Sequence, residues 1–116
     1  MKVSEDKMDA VTGLSGSGPA YVFSFLKALT EGGMKAGLPE DISKKLAMDT
    51  LYGAVLMADK TDKKFEELIN MVKTPGGTTE KGLMELEKHS FEEGVIEAVK
   101  KATERSKELG EVYGKC

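Results

Sequence analysis

Three hydroxyls and two adjacent glycines fall together in the stretch Thr74-Pro75-Gly76-Gly77-Thr78-Thr79. The glycines let the backbone turn with positive φ and keep side chains clear of it. A helix opening at Thr78 or Thr79 adds its unpaired N–H groups and the positive end of its dipole. Such a turn makes a small cradle for a carboxylate or a phosphate, with the hydroxyls of Thr74, Thr78 and Thr79 placed to orient whatever the backbone holds. Beside this stands a plainer account, in which Pro75 and the glycines reverse the chain and a threonine caps the next helix with no ligand involved.

Other residue types with chemical potential point to less. Gly13-Leu14-Ser15-Gly16-Ser17-Gly18 reads as a glycine-rich loop, but Pro19 stands where a P-loop needs its lysine, and Tyr21 stands where the dinucleotide fingerprint needs its third glycine. His89 is the single histidine and reads as a surface residue near a helix end. No Cys, Asp or Glu grouping has metal-ligand spacing, so no metal is expected. Cys116, the one cysteine, is the last residue and has no internal partner. Nor does any Ser–His or Cys–His arrangement suggest a covalent nucleophile.

The elements that must carry the turn are helices. Periodic apolar positions predict a helix over 19–36, started by Pro19 and closed by Gly37-Leu38-Pro39, with Gly37 as a left-handed cap and Leu38 folding back. A second helix runs from Pro39-Glu40-Asp41 to about residue 58 and is apolar on nearly every face in its second half. A third, over 62–73, is capped by Asp62. A fourth spans 78–88, and a last one follows a Ser90/Glu93 capping box. With no alternating strand pattern, the class is all-α, a bundle of about five helices. Residues 1–12 read as a lead-in or linker remnant, 13–110 as the helical domain and 111–116 as tail.

At 116 residues with a net charge of −3, the chain is one domain without the basic stripe that nucleic acid requires. No apolar run approaches the ~20 residues needed to cross a bilayer. The opening residues Met1 to Lys7 have no apolar signal core, which predicts a cytoplasmic protein. A second helix that is apolar all round needs surrounding, and in so short a chain a second copy is the expected supplier. Gly32, Gly33, Gly53 and Ala54 would let backbones cross closely.

Taken together, residues 9 to 21 (Asp9-Ala10-Val11-Thr12-Gly13-Leu14-Ser15-Gly16-Ser17-Gly18-Pro19-Ala20-Tyr21), Gly37-Leu38-Pro39, the run from Thr74 to Leu83 with Leu86-Glu87, Ala98-Val99, Arg105-Ser106 and Glu108-Leu109 resemble the C-terminal domain of pyrroline-5-carboxylate reductase. The resemblance implies an intertwined homodimer, alone or within a larger oligomer, and reduction of 1-pyrroline-5-carboxylate to L-proline with NADPH or NADH. It implies that the Pro-Gly-Gly turn holds the substrate carboxylate, with Thr74, Gly76, Gly77, Thr78 and Thr79 as substrate-binding residues. Within that set it gives backbone N–H groups to Gly77 and Thr78, and to Thr79 an N–H plus a hydroxyl near the imine nitrogen, making Thr79 the expected catalytic residue. Thr74 stands where the family often has serine. Glu5, seven residues before Thr12, matches an acidic position that approaches the substrate ring. The Rossmann half that holds the nucleotide in that family has no counterpart in these 116 residues, which alone are expected to be inactive. The alternative is a self-associating helical module without catalysis of its own.

Overall fold

The structure, a computed structural model, describes Ser4 and residues 7–113. Among these there is no strand. The elements are α1 (Met8–Val11), a π-helical turn (Thr12–Gly16), α2 (Gly18–Lys35), α3 (Glu40–Asp59), α4 (Phe65–Val72), α5 (Thr78–Lys88) and α6 (Phe91–Tyr113). The chain divides into two units, residues 1–23 with 90–116, and residues 24–89.

In the first unit, α1 and the π-helical turn lie along α6. The Ser106 hydroxyl donates to Asp9 Oδ1 at 2.7 Å, and the Tyr21 hydroxyl reaches Gly13 O at 3.1 Å and Ala98 O at 3.4 Å. As the numbering rises from Asp9 to Tyr21 it falls from Ser106 to Ala98, so the two segments run antiparallel. Between these bonds Gly13 is buried against α6. A Cβ there would stand 2.8 Å from Val99 O and 2.9 Å from Thr103 N, and would overlap Thr103 Oγ1. The expected glycine-rich loop is therefore corrected: residues 12–16 are helical, with the Ser17 N–H bonded to Thr12 O at 2.9 Å, five residues back. Glycine serves here for close approach, where the sequence suggested a turn.

In the second unit, α2 ends at Gly37 (φ +112°), with Gly37 N–H donating to Met34 O and Leu38 N–H to Gly33 O, both at 3.0 Å. This is a Schellman cap, as the Gly37-Leu38 pair predicted. Ser43, on α3, is 3% exposed and donates its hydroxyl to Thr30 O at 2.7 Å. Its side chain fills the space left by the missing Cβ of Gly33, so α2 and α3 meet closely there. Beyond their chain neighbours and their own helix backbone, Gly32 and Gly53 have no described atom within 4 Å of where a Cβ would stand.

Two expected caps are replaced. The third helix starts at Phe65, and Glu67, not Asp62, secures its start by accepting the Lys64 N–H at 3.0 Å. Ser90 takes φ +55° and its hydroxyl makes no bond to Glu93; it supplies α6 with its carbonyl, which accepts Gly94 N–H at 2.9 Å. α6 runs on to Tyr113, beyond the start expected for the tail.

Very little apolar surface is covered within one chain. Ala47, 6% exposed, is the one buried hydrophobic side chain among the described residues, while Leu46 (50%), Tyr52 (66%) and Val55 (59%) of α3 face outward in several directions. The chain presents 9685 Å² to solvent. A folded monomer of this mass presents ~6,200 Å². The difference, on the order of 3,500 Å² per chain or ~7,000 Å² for a pair, stands at the upper end of obligate subunit interfaces, which bury about 2,000–5,000 Å² or more in total.

Candidate functional site

Thr74 to Thr79 join α4 to α5 inside the second unit. α4 ends as Lys73 turns extended (ψ 120°), with its N–H on Ile69 O at 3.0 Å. Pro75 follows with its ring-fixed φ, and Gly76 takes φ +73°, while Gly77 N–H donates to Thr74 O at 3.0 Å. Proline first and positive-φ glycine second, closed by an i to i+3 bond, is the pattern of a type II turn. Gly77, extended at φ −85° and ψ 179°, is the N-cap of α5. Lacking a side chain, it leaves the donors of the first helical turn without a cap from its own position.

The donors divide in an informative way. Gly77 N–H serves the turn, and Gly76 N–H donates to Glu80 Oε1 at 3.0 Å. The first intrahelical bond is Lys81 N–H to Gly77 O at 3.4 Å. That leaves the N–H groups of Thr78, Thr79 and Glu80 without a hydrogen-bonding partner among the described residues, together at the positive end of α5. Thr79 is half-buried and Thr78 exposed. The Thr74 hydroxyl rests where a Cβ on Gly77 would fall, so a side chain at 77 would force the Thr74 hydroxyl to turn aside.

The turn thus brings together Thr74, Gly76, Gly77, Thr78 and Thr79. The ligand-facing N–H that the resemblance gives to Gly77 lies within the turn in this structure, and the free donors begin at Thr78. Glu5 lies outside the described residues. Glu80 was missed by sequence reasoning. Its signal was an acid three residues after the N-cap, a spacing from which a carboxylate can reach back over the helix start.

Elsewhere the chain offers less. His89 ends α5 at the surface, with Nε2 3.6 Å from Glu85 Oε2. Among the described residues no group of His, Cys, Asp and Glu could hold a metal ion, and no helix is long and apolar enough to cross a membrane. The described residues hold no strand from which a dinucleotide loop could spring, and Gly13, in the glycine-rich segment 13–18, is packed against α6.

Comparison with known proteins gives a consistent result. The family model described as pyrroline-5-carboxylate reductase dimerisation matches residues 5–109. The chain is 47% identical over 110 residues to a pyrroline-5-carboxylate reductase of Synechocystis, covering 95% of this chain and 41% of that protein. It is 49% identical over 111 residues to one from Arabidopsis thaliana, covering 96% and 40%. Among solved structures, pyrroline carboxylate reductase of Plasmodium falciparum with NADP bound superposes with a TM-score of 0.92 at 42% identity, over 95% of this chain and 42% of that one. The Coxiella burnetii pyrroline-5-carboxylate reductase gives 0.88 at 39% identity, over 93% and 40%. The chain spans about two fifths of the length of the relatives it matches.

Proposed function

The chain belongs to the pyrroline-5-carboxylate reductase dimerisation family, and from that membership we propose that it is the dimerising, substrate-holding part of a reductase that converts 1-pyrroline-5-carboxylate to L-proline. The observation that carries the proposal is the α4–α5 turn. Three unpartnered N–H groups at one helix start suit a small carboxylate, and a threonine hydroxyl stands beside them.

In this reading the substrate carboxylate takes the N–H groups of Thr78 and Thr79. The Thr79 hydroxyl faces the ring nitrogen, where it orients the imine or relays to it a proton taken up from solvent. Thr74, Gly76 and Gly77 act by shaping the turn. NADPH or NADH supplies the reducing equivalents, held by sequence outside these residues. A second copy of the chain covers the apolar face of α3. The work of these residues is then to bind and orient, which is what positioning catalysis asks. The large uncovered apolar area also supports a plainer reading, self-association without catalysis.

One experiment separates the two. Residues 1–116 are joined to the N-terminal part of the Synechocystis relative, and substrate-dependent NADPH consumption and proline formation are measured. Turnover is expected, and Thr79→Ala should lower kcat about a hundred-fold with the dimer mass unchanged. A dimeric, folded fusion with no turnover, in parallel with an active relative, overturns the reductase reading.

A further inference from the structure

We propose that Glu80 is a positioning residue for this anion site: by accepting the Gly76 N–H it fixes which way the Pro75–Gly76 peptide faces. The inference rests on the reductase reading. It starts from the 3.0 Å bond between Gly76 N–H and Glu80 Oε1. The central peptide of a turn has two orientations that differ by a flip of about 180°, and these distinguish type I from type II. Glu80 favours one of them. In the observed orientation its carboxylate meets an N–H. In the flipped one the same carboxylate would meet the Pro75 carbonyl oxygen, an acceptor facing an acceptor.

The choice bears on binding because the turn sets the start of α5. Gly76 is already in the left-handed region, and Gly77 N–H closes the turn onto Thr74 O. With the Pro75–Gly76 peptide held, Gly77 enters α5 extended, and the Thr78 and Thr79 N–H groups emerge in a fixed direction. Glu80 sits one helical turn away and half-buried, so it acts through the backbone of the turn. Preorganised donors bind better than donors that must be ordered on binding.

The test compares Glu80→Ala with Glu80→Gln in the fused reductase. The amide oxygen of glutamine can still accept the Gly76 N–H; alanine cannot. Glu80→Ala should raise KM for 1-pyrroline-5-carboxylate about five-fold, the scale of one hydrogen bond, with kcat and the KM for NADPH within about two-fold of the parent. Glu80→Gln should restore KM. In the 116-residue chain, the Gly76 amide proton resonance should move upfield in the alanine variant and stay near its position in the glutamine variant. An unchanged KM in Glu80→Ala, or equal shifts in both variants, overturns the proposal. So does a KM that falls, since the carboxylate would then be competing with substrate for the donor. A parent fusion that fails to turn over refutes the reductase reading instead, while the Gly76 resonance still reports whether Glu80 holds the turn.

Discussion

Replacing Gly13 by alanine tests the packing of the π-helical turn on α6 most directly. The new Cβ would sit 2.8 Å from Val99 O and 2.9 Å from Thr103 N, whereas ordinary contact begins at 3.4 Å. Relief therefore needs a retreat of 0.6 Å between two backbones. The Tyr21–Ala98 bond, already 3.4 Å long, would not survive that movement, and the 2.7 Å Asp9–Ser106 bond would stretch. Overpacking of this kind costs about 1–3 kcal/mol, and the lost hydrogen bond adds about 1 kcal/mol. Alanine's better helix propensity returns a similar amount. The net is a loss of about 2 kcal/mol, or on the order of 10 °C in Tm for a domain of this size. Urea and thermal unfolding at one fixed protomer concentration measure it, since association contributes to apparent stability. Thr103→Ala in the same background should recover only part of the loss, because it removes the overlapping Oγ1 and leaves both backbone atoms in place. Stability within about 0.5 kcal/mol of the parent would refute the close approach, and complete recovery with Thr103→Ala would show that only a side chain stood in the way.

Two further substitutions examine the turn and the association. Gly76→Ala places a Cβ on a residue at φ +73° with open space around it, so its cost is backbone strain of about 1–2 kcal/mol; KM for 1-pyrroline-5-carboxylate in the fused reductase should rise, and an unchanged KM would detach the turn from binding. Gly53→Ala meets nothing within 4 Å in one chain, which by propensity alone predicts a gain of up to about 1 kcal/mol. If a second copy packs on the middle of α3, the same change should instead raise the dimer dissociation constant in sedimentation equilibrium, and an unaffected dimer would move the interface away from Gly53.

The parts of the fold that were legible from the sequence are those where one residue type has one physical use. Gly37 before Leu38-Pro39 and Gly76 after Pro75 each pair a glycine with a fixed neighbour, and both take the expected positive φ; Gly77 does not, being extended at φ −85° and taking the N-cap place expected of a threonine. Gly13 was misread because glycine has two uses, left-handed φ and the absence of a Cβ, and only the tertiary neighbour Thr103 reveals which applies. Asp62 and Ser90 looked like caps, but carboxylates and carbonyls nearby took those roles: Glu67 reaches Lys64 N–H, and Ser90 acts through its backbone. Ser43 gave no sequence signal at all, since its importance lies in a bond to Thr30 O across a helix pair. The candidate site was legible as a stretch but not in its donor assignment, which depends on the carboxylate of Glu80.

The π-helical turn also sets a limit of another kind on this chain. Its Ser17 N–H to Thr12 O bond encloses one residue more than an α-helical turn would. Removing any one residue between them would allow an uninterrupted α-helix, a gain in local regularity, but would rotate everything downstream by about 100° and draw it back by ~1.5 Å. Tyr21 would then point away from Gly13 O and Ala98 O, the two acceptors its hydroxyl now serves. Leu14, 63% exposed within one chain, packs little against its own fold, so a changed side chain there disturbs it little. In this segment, then, Gly13 is held by its close contact with α6, while the other letters are less constrained than their number.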